Sequence, residues 1–355
     1  MKSRKLSFVL IILFLAAYIF GGNAEKVNAS VITFGDYEFD ESTKTITKYN
    51  GTSSNLVIPE KINNIEVENI GDFSFDGCTS IKELVIPSNI KKIGIYSFRD
   101  CINISKLTLE EGVQEIDRGA FFNSCKEAEE IIIPGSVNSI GEDTFGQCEG
   151  LKKVEIYNGV KKIGANAFES CANLSEITIP SSVESIGDKA FQHCYYLKSL
   201  NIGEGIKNIG KYAFNECSIG EINIPSSVQS VGEYAFWNSG AAKIWVNKST
   251  QTEENAFGLW DEPSTIYITG NPTENEMDIT KANFMKYKTF DSVKFVGILC
   301  KEDINNDKVV GIDDLANVAA SYNVKRGNSN YKSEIDINGD GIIDIYDLIR
   351  VARKM

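Results

Sequence analysis

The chain has 355 residues, 42% hydrophobic and 24% charged, with 49 acidic against 36 basic side chains and a formal net charge of −13. That length leaves room for two or more domains, and so acidic a chain gains nothing from the general attraction that draws proteins to nucleic acid or anionic membrane. One histidine, His193, gives no cluster on which zinc coordination or Ser-His-Asp chemistry could be built.

At the N-terminus, Lys2, Arg4 and Lys5 precede an apolar run from Leu6 to Phe20, and small residues follow. Gly22-Asn23-Ala24 and Val27-Asn28-Ala29 each offer a cleavage site, so residues 1–29 read as a bacterial secretory signal peptide cut after 24 or 29. The run is too short, and too interrupted by Ser7 and Tyr18, for a membrane anchor. No later segment is apolar enough to span a bilayer once the signal is gone. Loss of Lys2, Arg4 and Lys5 takes the net charge from −13 to about −16. The mature protein is expected outside the cell.

From Val31 to Trp260 the sequence repeats with a period of 23 residues. Phe75, Phe98, Phe121, Phe145, Phe168, Phe191, Phe214 and Phe236 mark successive turns, with one spacing of 24 and one of 22. A fixed period in this range means a solenoid, in which each unit buries its apolar face only against its neighbours. Within the unit from Cys171 to Phe191, Leu174, Ile177 and Ile179 line a short strand, and Pro180 removes a donor and ends it. Ile186 then returns the chain to the core. Gly187 is placed in a tight turn that calls for positive φ, and Ala190 makes room for the Phe191 ring.

This pattern resembles the BspA-like leucine-rich repeats of bacterial surface proteins. The resemblance implies an α/β solenoid: a right-handed coil with a parallel sheet on its concave side, over residues 30–270. Tyr37 to Tyr49 resembles the β-rich cap that precedes such arrays, and Phe257 to Trp260 a degenerate last unit.

Seven cysteines, Cys78, Cys101, Cys125, Cys148, Cys171, Cys194 and Cys217, share one phase of the repeat. Side chains stacked in parallel bridge poorly, and seven is odd, so they read as small core residues rather than a disulfide framework. Cys300 lies outside the array as a candidate exposed thiol. His193 falls where other units have Gly, Asp, Ser, Gln and Glu, the mark of a solvent-facing loop position.

The outward strand positions carry mixed signs on neighbouring turns, such as Glu130/Ile132, Lys153/Glu155, Glu221/Asn223 and Lys243/Trp245. This reads as a solvated face laced by cross-strand pairs. The sharper reading is a protein- or glycan-binding surface centred on Val85, Ile132 or Trp245. A glycosidase would need two facing carboxylates, and no matched pair stands out, so the chain is expected not to be an enzyme. Trp237, Trp245 and Trp260 cluster late in the array, where closing the open end of the core is the simplest role.

Residues 271–299 read as a cap or linker, opened by Asn271, Pro272 and Thr273. The last segment, 300–355, contains one twelve-residue acidic loop twice: DINNDKVVGIDD from Asp303 to Asp314 and DINGDGIIDIYD from Asp336 to Asp347. Oxygen-bearing side chains recur at loop positions 1, 3, 5 and 12: Asp303, Asn305, Asp307 and Asp314, then Asp336, Asn338, Asp340 and Asp347. With backbone carbonyls from position 7, Val309 and Ile342, this is the EF-hand-type spacing that wraps calcium. Each loop runs into a helix-period segment: Leu315, Val318 and Ala319, then Leu348, Val351 and Ala352.

The pair resembles a dockerin, a small all-α module that plugs secreted proteins into the cohesins of cellulosome-type scaffolds. The resemblance implies two bound calcium ions and a cohesin contact through Ile312, Asp313, Ile345 and Tyr346, helped by Arg353 and Lys354. These contact residues replace the Ser-Thr pair of many such modules, which points to another specificity class. Lys308 stands at position 6, where a strained turn favours glycine, so the first site is expected to be weaker than the second, which has Gly341.

The leading expectation is a secreted, non-catalytic protein docked on a cellulosome or cell-surface scaffold, its solenoid binding a protein or glycan. One rival is a surface adhesin whose C-terminal calcium pair is only structural. Another is an accessory enzyme of plant polysaccharide breakdown.

Overall fold

The computed structural model describes residues 31–253, 255–258, 265–269, 294–297, 324–325 and 342–343. The described residues start with an antiparallel meander of Val31–Phe34, Tyr37–Asp40 and Thr45–Tyr49, with Gly35 at positive φ in the first turn. Thr45–Tyr49 then pairs in parallel with Asn69–Ile70 and hands the sheet to the coil. From there the fold is a parallel β-solenoid of about nine turns with a 23-residue period.

Each turn contributes two strands. The first is four residues long, as in Glu176–Ile179, where Glu176 and Thr178 are exposed and Ile177 and Ile179 are buried. This is the alternation of a sheet with one wet face. Pro180 ends it as its sequence position implies. In units without proline the same position keeps its ladder bond: the Tyr157 N–H donates to the Ile133 carbonyl at 3.0 Å, and Gly203 to Ile179 at 2.9 Å. Proline therefore costs one bond per turn and is tolerated at a strand end.

The second strand is only two residues long, as in Ser185–Ile186. These short strands stack without interruption, giving with the N-terminal meander a sheet of twelve strands among the described residues. The longer strands form three separate ladders. The first break, between Lys106–Leu109 and Glu130–Ile133, falls where the period is 24; the second, before Glu221–Asn223, where it first drops to 22. A one-residue change in turn length costs pairing on the long-strand side and leaves the short-strand side intact.

A column of rings fills the interior. Phe75, Phe98, Phe121, Phe145, Phe168, Phe191, Phe214 and Phe236 are fully buried, and their centroids stack 4.7 to 5.5 Å apart. Tyr49 from the meander starts the column, 5.0 Å from Phe75, and Phe257 extends it 5.3 Å past Phe236. Each ring sits between two left-handed residues, two positions before and two after it; around Phe191 these are Lys189 (φ 58°) and His193 (φ 62°). The N–H groups of Lys189, Phe191 and His193 donate to Lys211, Ala213 and Asn215 at 2.7, 2.7 and 3.0 Å. These bonds offset a backbone cost of about 1–2 kcal/mol per left-handed residue.

Gly187 is corrected by this geometry. Its φ is not positive; it is glycine because a Cβ there would lie 2.5 Å from the Ala165 nitrogen and 2.6 Å from the Gly164 carbonyl carbon. Positive φ belongs to Lys189, two residues on.

The seven cysteines are free thiols, Cys78 half-buried and the rest buried. The Sγ atoms of Cys101, Cys148, Cys171, Cys194 and Cys217 donate to the carbonyl of the preceding unit's phenylalanine at 3.2 to 3.3 Å. Burial pushes the Cys101, Cys171, Cys194 and Cys217 thiols well up and so disfavours their thiolate form. Cys125 departs from the shared phase. The extra residue of its unit moves it one place on, and the Ser124 hydroxyl takes the thiol's role by donating to the Phe98 carbonyl.

The sheet also continues past the loss of the sequence period. Thr265–Thr269 pairs in parallel with Lys243–Asn247, and Lys294–Gly297 pairs in parallel with Thr265–Thr269.

Candidate functional site

The wet face of the longer strands gathers the outward residues foreseen from the sequence and adds Val57 and Tyr267, which were not. The first outward row includes Glu130, Lys153, Glu176, Ser199, Glu221 and Lys243; the second includes Val57, Ile132, Glu155, Thr178, Asn201, Asn223, Trp245 and Tyr267. The cross-strand pairs are present. Lys153 Nζ meets Glu130 at 2.8 Å and also bonds Glu155, and both partners hold the ammonium above the usual lysine range. Lys243 meets Glu221 at 2.7 Å. Pairs this exposed add little stability, because water and salt screen them.

Two apolar features interrupt it. Near the start, Val57 and Ile132 are 61% and 41% exposed. Near the end, Trp245 stacks on Tyr267 with centroids 5.0 Å apart and planes 11° from parallel. The Lys243 ammonium lies 6.0 Å from the Trp245 ring centroid. Trp245 therefore stands on the outside of the sheet and does not close the core. Trp237 lies on another surface, edge-on to Tyr234 and against Gly258. Trp260 is outside the described residues. Among the described residues the column ends on Phe257 instead, a smaller ring 21 residues after Phe236.

Tyr267 was not singled out from the sequence. Its signal was present: TIYIT repeats the in-out alternation of KIWVN, but the 23-residue count had already lapsed by then.

A shallow groove of about 590 Å³ opens at the C-terminal ends of the central strands, walled by Tyr157 and floored by Thr178, Pro180 and Ser181. Its carboxylate, Glu111, accepts from the Gly135 and Ser136 N–H groups at 3.2 and 3.1 Å and is a turn clamp rather than a catalytic group. His193 is half-buried at a left-handed position, beside Tyr195 and 3.7 Å from Glu216. Among the described residues no group of three or more His, Cys, Asp or Glu is placed to hold a metal, and no helix is long and apolar enough to cross a membrane.

A further aromatic cluster was missed from the sequence. Phe73 and Tyr96 occupy left-handed positions, and the Arg99 guanidinium lies 5.6 and 5.3 Å from their rings while bonding Asp76 at 2.7 and 2.9 Å.

Of the residues expected to bind calcium, only Ile342 is described: Ile342–Ile343 pairs antiparallel with Val324–Lys325. Asp303, Asn305, Asp307, Val309, Asp314, Asp336, Asn338, Asp340 and Asp347 lie outside the described residues. So do the contact residues Ile312, Asp313, Ile345, Tyr346, Arg353 and Lys354, and Cys300.

The BspA type leucine rich repeat model matches in six copies over residues 49–125, 68–197 and 121–243, together more than half of the chain. Among solved structures, a T. pallidum leucine rich repeat protein is 31% identical over 48% of this chain and 80% of that one, with a TM-score of 0.46. A Bacteroides ovatus leucine-rich repeat protein is 20% identical over 77% and 78%, with a TM-score of 0.46. A leucine rich cell surface protein from Faecalibacterium prausnitzii is 20% identical over 70% and 96%, with a TM-score of 0.36. No curated protein matches the chain.

Proposed function

We propose that this chain, which belongs to the BspA type leucine rich repeat family, is a secreted, non-catalytic binding protein held to an extracellular scaffold by a calcium-dependent C-terminal module. The solenoid is its arm, and the wet face of the longer strands is where a protein or glycan ligand sits. The docking reading is carried by one observation: the acidic loop occurs twice, with Asp or Asn at positions 1, 3 and 5 and Asp at position 12 in both copies. The donor set is all oxygen, which suits a hard divalent cation.

Asp303, Asn305, Asp307, Asp314 and the Val309 carbonyl would hold one ion. Asp336, Asn338, Asp340, Asp347 and the Ile342 carbonyl would hold the other. When bound, calcium neutralises carboxylates that otherwise repel one another, so the fold of the module is linked to the metal. Ile312, Ile345 and Tyr346 then serve as apolar anchors for a cohesin, with Asp313, Arg353 and Lys354 as polar rim.

The test is capture of the full-length protein by purified cohesins of several specificity classes, in calcium and in chelator. Capture by at least one cohesin in calcium, lost in chelator, is expected. Equal capture in chelator, or none by any cohesin, would refute docking and leave the adhesin reading in its place.

A further inference from the structure

On the wet face, Trp245 and Tyr267 stand side by side as a raised edge, and the two turns before them carry only short side chains in the same row. Asn223 is the register partner of Trp245, and Asn201 is the register partner of Thr178 one turn further back. Asn201, Asn223 and Thr178 are all exposed. Thr178 to Asn201 and Asn223 to Trp245 are each one paired-strand step of roughly 4.8 Å, and the Asn201 and Asn223 strands meet at the break between two ladders. The result is a trough with an amide-and-hydroxyl floor and one aromatic wall.

Its charge is as telling as its shape. The second outward row from Thr178 to Asn223 holds no ionised group. The first row over the Asn201 and Asn223 turns contributes Ser199 and Glu221, and Glu221 is neutralised by Lys243 at 2.7 Å. Glu176 adds an exposed carboxylate on the Thr178 turn, while over the Asn201 and Asn223 turns the floor has no net charge, although the chain as a whole is strongly acidic. A basic peptide gains nothing here that it would not gain elsewhere, and an anionic ligand meets only a lysine already paired. An uncharged ligand rich in hydroxyls fits all three features. Asn side chains donate and accept at once, matching vicinal hydroxyls, while an aromatic face covers the C–H side of a sugar ring.

We infer that the trough between Thr178 and Trp245 binds a short neutral oligosaccharide, one ring against Trp245 and its hydroxyls on Asn223 and Asn201. This rests on the proposed role of the wet strand face as the ligand surface and gives that ligand a chemical class.

The test is a fluorescence and calorimetric titration of the full-length protein with cellotetraose, xylotetraose, mannotetraose and a sulfated heparin tetrasaccharide. Saturable binding of at least one neutral sugar is expected, with none of the sulfated one. Trp245→Ala should weaken it by about tenfold or more. The double variant Asn201→Ala/Asn223→Ala touches only exposed floor positions and should also weaken it, with an unchanged melting curve. Failure of every neutral sugar to bind, or equal binding by the variants, would overturn the inference. Capture of a protein or peptide ligand that is lost in Trp245→Ala would also overturn it, while leaving the wet face as the ligand surface. Docking to a cohesin should be unaffected by any of these changes.

Discussion

The two faces of one four-residue strand follow different rules. On the inward side, Leu84, Leu107, Ile131, Val154, Ile177 and Ile222 never leave the aliphatic set, whatever the turn. One residue along, on the wet side, the row passes from Val57 and Ile132 through Glu155, Thr178 and Asn201 to Trp245 and Tyr267. Stacking fixes the first set, because every turn must present the same shape to its two neighbours. Stacking leaves the second free to vary, apart from cross-strand ion pairs such as Lys153 with Glu130 and Lys243 with Glu221.

The sharpest way to break the inward rule is to open the ring column. Phe168 is fully buried between Phe145 and Phe191, at 5.5 and 5.2 Å. Phe168→Ala should cost about 3–5 kcal/mol by chemical denaturation, since rings on both sides lose a partner. A cost under about 1 kcal/mol would mean that the column does not hold the coil together.

A smaller effect separates two glycines. Gly187→Ala places a Cβ against backbone atoms of the previous turn and should destabilise by about 1–3 kcal/mol. Gly220→Ala meets nothing within 4 Å and should stay within about 0.5 kcal/mol of the parent. Equal melting temperatures for the two variants would contradict the close approach of successive turns.

The same division explains what could be read from the sequence. The phenylalanine period, the strand alternation, the proline stop and the buried thiols all follow from packing, and packing repeats. The left-handed pair around each ring was not legible, because Lys189, Tyr96 and Phe73 carry none of the glycine signal that positive φ usually leaves. Nor was the substitution of Ser124 for a thiol, which depends on where the extra residue of that turn is absorbed. Trp245 reads two ways in the sequence, as an outward strand residue and as part of the core end, since sequence alone does not tell which tryptophan continues a column that Phe257 already caps. Its partner Tyr267 lay beyond the last counted repeat. The duplicated acidic loops are read from spacing alone, since apart from Ile342 and Ile343 they lie outside the described residues.

The most direct test of the docking account is a calorimetric titration of the full-length, metal-stripped protein with calcium. The account predicts two ions per chain, the tighter lost in Asp336→Ala/Asp340→Ala and the weaker in Asp303→Ala/Asp307→Ala. Absence of saturable binding, or binding unaltered by either double variant, would contradict it.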